Sequence, residues 1–159
     1  MEDKPRPLRF PERRQLVHGV NPTTGGPTIV FVTVCTVVRN HVLDNPPVHA
    51  ALEDIWRHEA KAWLVGRYVL MPDHLHCFVS PTDGAPDLEL WVKYWKRLLT
   101  QRLRLPNRTF QLAQWDTRIR TAKQYAEKWE YVRENPVRAG LVQHPDDWPY
   151  QGEIFDLQW

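Results

Sequence analysis

Tyr68-Val-Leu-Met-Pro-Asp-His74-Leu75-His76-Cys-Phe-Val79 is the stretch on which the fold and the chemistry both turn. Two histidines flank one large apolar residue inside an otherwise apolar run. On an extended strand side chains repeat every two residues, so His74 and His76 share one face. Leu75, Cys77 and Val79 then point to the other face, where they can enter a core. Two imidazoles spaced this way can hold one metal ion. A complete site needs further groups from elsewhere in the chain.

Those groups stand near the C-terminus, in Glu130-Tyr131-Val-Arg-Glu-Asn135-Pro136-Val-Arg-Ala-Gly140. The preceding residues, Thr121 to Glu130, are good helix formers with no internal Gly or Pro. Pro136 ends that helix or breaks it close to Asn135. Tyr131 and Asn135 are four residues apart and so share a helical face. A phenol can act as a nucleophile and an amide carbonyl as a metal ligand. The two segments together offer His, His, Asn and Tyr around one metal.

This combination resembles the HUH single-strand DNA endonucleases and, more narrowly, the REP-associated tyrosine transposases of bacteria. The likeness begins at Val30-Phe-Val-Thr-Val-Cys-Thr-Val-Val-Arg39 and passes through Met71-Pro-Asp-His-Leu-His76. It continues through Trp95-Lys-Arg97, Phe110-Gln111, Trp115-Asp116-Thr-Arg-Ile-Arg120 and Asn135-Pro-Val-Arg-Ala-Gly140, and ends at Asp147-Trp-Pro-Tyr150. Two positions depart from the pattern: Phe110 stands where a Trp is expected, and Asp73 where many members carry Asn. Neither touches the expected chemistry.

The resemblance implies that Tyr131 attacks a DNA phosphodiester and becomes joined to the 5′ phosphate, leaving a free 3′ hydroxyl. Exchanging one ester for another stores the cleaved bond in the protein, so rejoining needs no nucleotide hydrolysis. A free phenol, with a pKa of about 10, is a poor nucleophile at neutral pH. A divalent ion held by His74, His76 and Asn135 would polarise the phosphoryl oxygens. Imidazoles favour softer ions such as zinc, whereas phosphoryl transfer commonly uses magnesium or manganese. The resemblance points to Mg²⁺ or Mn²⁺. Tyr125, six residues before Tyr131, falls on a different helix face and has Trp129 rather than Asn four residues on.

Composition bounds these expectations without deciding them. A chain of 159 residues, 42% hydrophobic and 25% charged, fits one globular domain with its own core. No apolar run approaches the roughly 18–20 residues that span a bilayer, and the N-terminus lacks a signal-peptide segment, so a cytoplasmic protein without membrane association is expected. A net charge of +2 permits nucleic-acid binding only where basic residues cluster. Cys35 and Cys77 lie in apolar runs and read as buried free thiols, with no Cys-x-x-Cys pair to bind structural zinc.

Along the chain, residues 1–27 hold five prolines and read as an extended arm carrying Arg13 and Arg14; residues 28–150 form the catalytic domain and 151–159 a C-terminal tail. Strands are predicted over Thr28–Val38, Leu64–Leu70 and His74–Ser80, with a short fourth over Phe110–Leu112. Helices are predicted over Val48–Trp63, over Asp87–Leu103 and around Tyr131. This order gives an α+β fold, ferredoxin-like, in which helices pack on an antiparallel sheet and the histidines sit on a central strand.

Single-stranded or hairpin DNA is the expected partner, with no small-molecule organic cofactor and a monomer favoured over a dimer. Phosphate contacts are expected from Lys93, Lys96, Arg97, Arg118, Arg120, Arg133 and Arg138, with exposed aromatic rings stacking on bases. The alternative is a domesticated DNA-hairpin-binding protein that keeps the fold without transposition. A replication or conjugation initiator is disfavoured by the lack of a P-loop. A zinc hydrolase is disfavoured because no carboxylate stands in an obvious general-base position beside the histidines.

Overall fold

The computed structural model describes residues 28–39 and 41–158, so the expected N-terminal arm lies outside the described residues. β1 (Ile29–Cys35) leads to α1 (Pro46–Asp54), whose last turn widens into a π-helical segment, Ile55–Glu59. β2 (Trp63–Leu70) and β3 (His74–Pro81) follow, then α2 (Leu88–Leu103), β4 (Trp115–Ile119), α3 (Ala122–Arg133), the single turn α4 (Asn135–Arg138) and β5 (Gln151–Glu153). The sheet order is β4-β1-β3-β2-β5, with all four pairings antiparallel. The first four strands with α1 and α2 make the βαββαβ ferredoxin-like unit; β5 extends its β2 edge.

β3 is central, and its register decides what each face carries. Leu75, Cys77 and Val79 are buried among Val30, Val32 and Val34 of β1, beneath α1 and α2. Trp91, Trp95 and Leu99 of α2, each four residues apart, close this layer together with Val92, three before Trp95, as a single helix face requires. The opposite face carries Ile29 and Phe31 of β1, Phe78 of β3, Val69 of β2 and Ile119 of β4. There α3 packs through Tyr125, Trp129 and Val132.

Three element boundaries differ from the sequence expectation. The first helix does not reach Trp63. Its main chain shifts to an Ala60 N–H to Ile55 carbonyl bond of 2.8 Å, then leaves helical geometry at Ala60 (φ −92°, ψ 50°). Trp63 instead opens β2 opposite Pro81 and remains buried from there. The first strand stops at Cys35, three residues short of the predicted end. Phe110–Leu112 is not a strand: Phe110 makes one bridge to Thr36, and the fourth strand is Trp115–Ile119. That strand pairs only with β1 and lies at an edge, where the polar residues of Trp-Asp-Thr-Arg-Ile are tolerated and its pattern is weak.

The helix starts follow ordinary capping. Asn45 Oδ1 accepts the Val48 N–H at 3.1 Å, with Pro46 and Pro47 in the first turn of α1. Thr121 Oγ1 accepts the Gln124 N–H at 3.1 Å at the start of α3. Pro136 falls just after α3 and separates it from α4, as expected for a residue that cannot continue a helical hydrogen-bond ladder.

Leu75 is fully buried on the α1/α2 face between the two histidines. Leu75→Ala is therefore expected to lower the unfolding free energy by about 2–5 kcal/mol, read from the midpoint of a urea titration. A change under about 0.5 kcal/mol would contradict this packing.

Candidate active site on the sheet face under α3

Strand pairing sets the first half of the site. Thr33 pairs with His76 and Cys35 with His74 across β1 and β3. The two imidazole centroids are 4.9 Å apart at a steep mutual angle of 76°. Thr33 Oγ1 lies 2.8 Å from His76 Nδ1, and Asp73 Oδ1 lies 2.8 Å from His74 Nδ1. Asp73 is itself held, its carbonyl accepting from both the N–H and the hydroxyl of Thr36 at 2.9 Å. With protons on the two Nδ1 atoms, donated to Thr33 and Asp73, each ring keeps an Nε2 lone pair for a ligand.

Desolvation, followed by the nearby His74 and the positive charges of Lys128 and Arg138, pushes the His76 imidazole down to about 3. His76 is therefore neutral near pH 7, the form a metal ligand requires. Two imidazoles whose Nδ1 atoms are held by Thr33 and Asp73 suit a divalent ion. Among the described residues no three His, Cys, Asp or Glu side chains cluster as metal ligands.

α3 and α4 supply the second half. Tyr131 is 62% exposed near the end of α3, so its hydroxyl is open to a large substrate. The Arg138 guanidinium lies 4.1 Å from the Tyr131 ring centroid and donates to the Tyr131 carbonyl at 2.6 Å. The same group donates to Asn135 Oδ1. Arg138 thus touches both Tyr131 and Asn135, and its charge is among those that bear on His76. Asn135 Oδ1 has a second lone pair, so a ligand role requires sharing that oxygen or releasing the guanidinium.

Tyr125 has a different environment. Its ring stacks edge-on against Phe78 at 4.7 Å, Arg67 lies 5.7 Å above it, and burial raises its phenol pKa. This is a core-packing role, on a helix face different from that of Tyr131.

Most of the predicted DNA-contacting cations are not gathered here. Lys93, Lys96 and Arg97 belong to α2, which packs on the sheet face opposite the histidines. Lys93 pairs with Glu89 at 2.9 Å, and Arg97 stacks on Tyr94 at 5.6 Å. Lys96 is a correction to the expected phosphate contact: it is only 8% exposed and donates to the Gln111 carbonyl at 2.9 Å. Arg118 pairs in register with Val30 and so also faces α1 and α2. Arg120 is exposed at the approach to α3. Arg133 is engaged by Asp146 at 2.7 Å and Glu130 at 3.5 Å. Arg138 alone of the seven contacts Tyr131.

Sequence reasoning passed over Thr33 and Lys128. Thr33 gains its role from a register that one strand cannot display. Lys128 was legible, because it stands three residues before Tyr131 on α3 and so shares its side of the helix.

Lys96 supplies a pH prediction. Burial pushes its ammonium from an ordinary 10.5 down to about 8. Above about pH 8 the folded state sheds this proton before the unfolded state does, so the unfolded chain holds more protons there. Wild-type stability relative to Lys96→Met should be level below about pH 8 and rise toward about pH 10.5. Paired urea titrations across that interval check this, and a pH-independent difference would contradict it.

Comparison with known proteins places the geometry. No protein-family model matches the chain. It is 30% identical over 86 residues to the REP-associated tyrosine transposase of Escherichia coli (strain K12), covering 54% of this chain and 52% of that one. It is 26% identical over 110 residues to a putative REP-associated tyrosine transposase of Haemophilus influenzae, covering 57% of this chain and 62% of the relative. The matches therefore span less than two thirds of either relative. The solved structure of a REP-associated tyrosine transposase bound to a REP hairpin superposes with a TM-score of 0.68 at 21% identity, covering 92% of this chain and 94% of that one. Part of the chain is thus similar in sequence to two REP-associated tyrosine transposases, and its fold is that of a solved one.

Proposed function

We propose that this protein is a metal-dependent tyrosine transposase and endonuclease that nicks and rejoins single-stranded or hairpin DNA. The observation that carries this reading is Arg138. One guanidinium stacks on the exposed Tyr131 ring, binds Asn135 and bears electrostatically on His76. One cation that contacts the candidate nucleophile and one candidate ligand, and bears on a second, supports a shared site. The DNA class comes from the similarity to transposases, one of which is solved with a REP hairpin.

In the proposed reaction the Tyr131 oxygen attacks the phosphorus of one linkage and its proton passes to solvent. The new bond is a 5′-phosphotyrosine ester, and the broken bond is that to the 3′ oxygen, which leaves as a hydroxyl after taking up a proton. Reversal by a 3′ hydroxyl rejoins a strand without loss of bond energy. His74, His76 and Asn135 would hold a divalent ion, Mg²⁺ or Mn²⁺, which supplies Lewis-acid polarisation of the phosphoryl oxygens. The protein's own contribution is positional. Arg138 fixes the plane of the Tyr131 ring, and Asp73 and Thr33 fix the two imidazoles.

A denaturing gel of protein with a labelled REP-hairpin oligonucleotide and Mn²⁺ tests the function. A covalent band is expected that disappears in Tyr131→Phe and persists in Tyr125→Phe. Hairpin binding without a covalent band across Mg²⁺ and Mn²⁺ would instead support a DNA-binding module that has kept the fold.

The oriented imidazoles give a second prediction. Calorimetric titration should find Mn²⁺ affinity lowered about 10–100-fold in Thr33→Val and in Asp73→Ala. Unchanged affinity in both would remove the role assigned to Nδ1 orientation.

A further inference from the structure

Lys128 has no assigned task, yet it occupies a distinctive position. It projects from α3 on the side that meets the sheet, and its side chain is half-buried. Its ammonium lies 4.9 Å above the Phe31 ring, and that ring stacks nearly parallel to His76 at 5.3 Å, with 19° between planes. A cation placed on an aromatic face beside a neutral imidazole keeps N–H donors free, because a π-face occupies the charge without accepting conventional hydrogen bonds. Lys128 also lines an open groove between β4 and α3, together with Thr117, Ile119, Gln124, Glu127 and Tyr131. The groove is lined both by the candidate nucleophile and by the cation whose supporting Phe31 ring stacks on His76.

We propose that Lys128 contacts the scissile phosphate, and that the β4/α3 groove carries the unpaired strand past Tyr131. This rests on the strand-nicking function proposed above and adds to it a catalytic residue and a substrate path. The electrostatics agree with the geometry, since His76 feels the charges of Lys128 and Arg138 together. A phosphodiester held at Tyr131 would then be contacted by Lys128 as well as Arg138. Its developing negative charge in the transition state meets a pre-placed donor. The Phe31 ring holds the lysine stem in place before substrate arrives, which lowers the cost of ordering it.

The test uses the full chain and a series of REP-hairpin oligonucleotides, each with one neutral methylphosphonate at a different linkage flanking the hairpin foot. Binding is read by fluorescence anisotropy in EDTA, so that no cleavage is needed. In wild type, neutralising one particular linkage should weaken binding about tenfold. In Lys128→Met that penalty should disappear, and the salt dependence of binding should fall by about one unit of slope. Lys128→Arg should restore both. With Mn²⁺ added, Lys128→Met should slow covalent adduct formation about 100-fold.

Circular dichroism checks that Lys128→Met is folded; if it is not, Lys128→Gln is read in its place. The same penalty at the same linkage in wild type and variant would overturn the proposal and leave Lys128 as a packing residue over Phe31. If wild type forms no covalent adduct but the linkage-specific loss persists, the nicking function fails while the phosphate contact stands.

Discussion

The alternation of β3 is the constraint from which the rest of the structure follows. The strand is central, paired to β1 on one side and β2 on the other. One face must bury Leu75, Cys77 and Val79 under α1 and α2. The period of two then fixes His74, His76 and Phe78 on the other face with no freedom to drift. A one-residue slip would put two imidazoles into an apolar core and three aliphatic or thiol groups beneath α3. The hydrophobic core on one side thus holds the histidine register on the other.

A polar site beneath a helix needs its own support, and the aromatic layer provides it. Phe78 takes Tyr125 and Trp129 edge-on, while Phe31 stacks on His76 and carries Lys128 above it. The packed half of α3 therefore anchors the helix, and its last turn projects Tyr131 into solvent. The break at Pro136 turns the chain so that Arg138 returns across Tyr131 and Asn135. Rigidity at one end of α3 and exposure at the other suit a side chain that must be held yet meet a macromolecule.

Legibility in the sequence was uneven for physical reasons. The histidine face, the Tyr131 helix and the break near Asn135 follow from local periodicity and from proline, so they were readable before any tertiary structure. The ferredoxin-like order was readable from element order and family likeness. β4 was missed because an edge strand paired on one side needs little hydrophobic pattern, and Phe110 drew the assignment to the wrong segment. The first helix was overextended because Trp63 sits at helical spacing from Trp56 and Ile55, while the widened turn that ends the helix leaves no sequence mark. Charge was the least legible property. A basic helix face on α2 looked like a DNA contact, yet the sheet separates it from the histidines, and Lys96 is buried against a backbone carbonyl.

The central claim is that His74, His76 and Tyr131 form one site. Fluorine NMR of protein labelled with 3-fluorotyrosine, titrated with Mn²⁺, tests this directly, because the paramagnetic ion broadens only nearby resonances. The account predicts that the Tyr131 signal is lost first, while that of Tyr94, on the helix across the sheet, stays sharp. It also predicts that His76→Ala abolishes the selective loss. Equal broadening of all tyrosines, or selective loss that survives His76→Ala, would contradict a shared site.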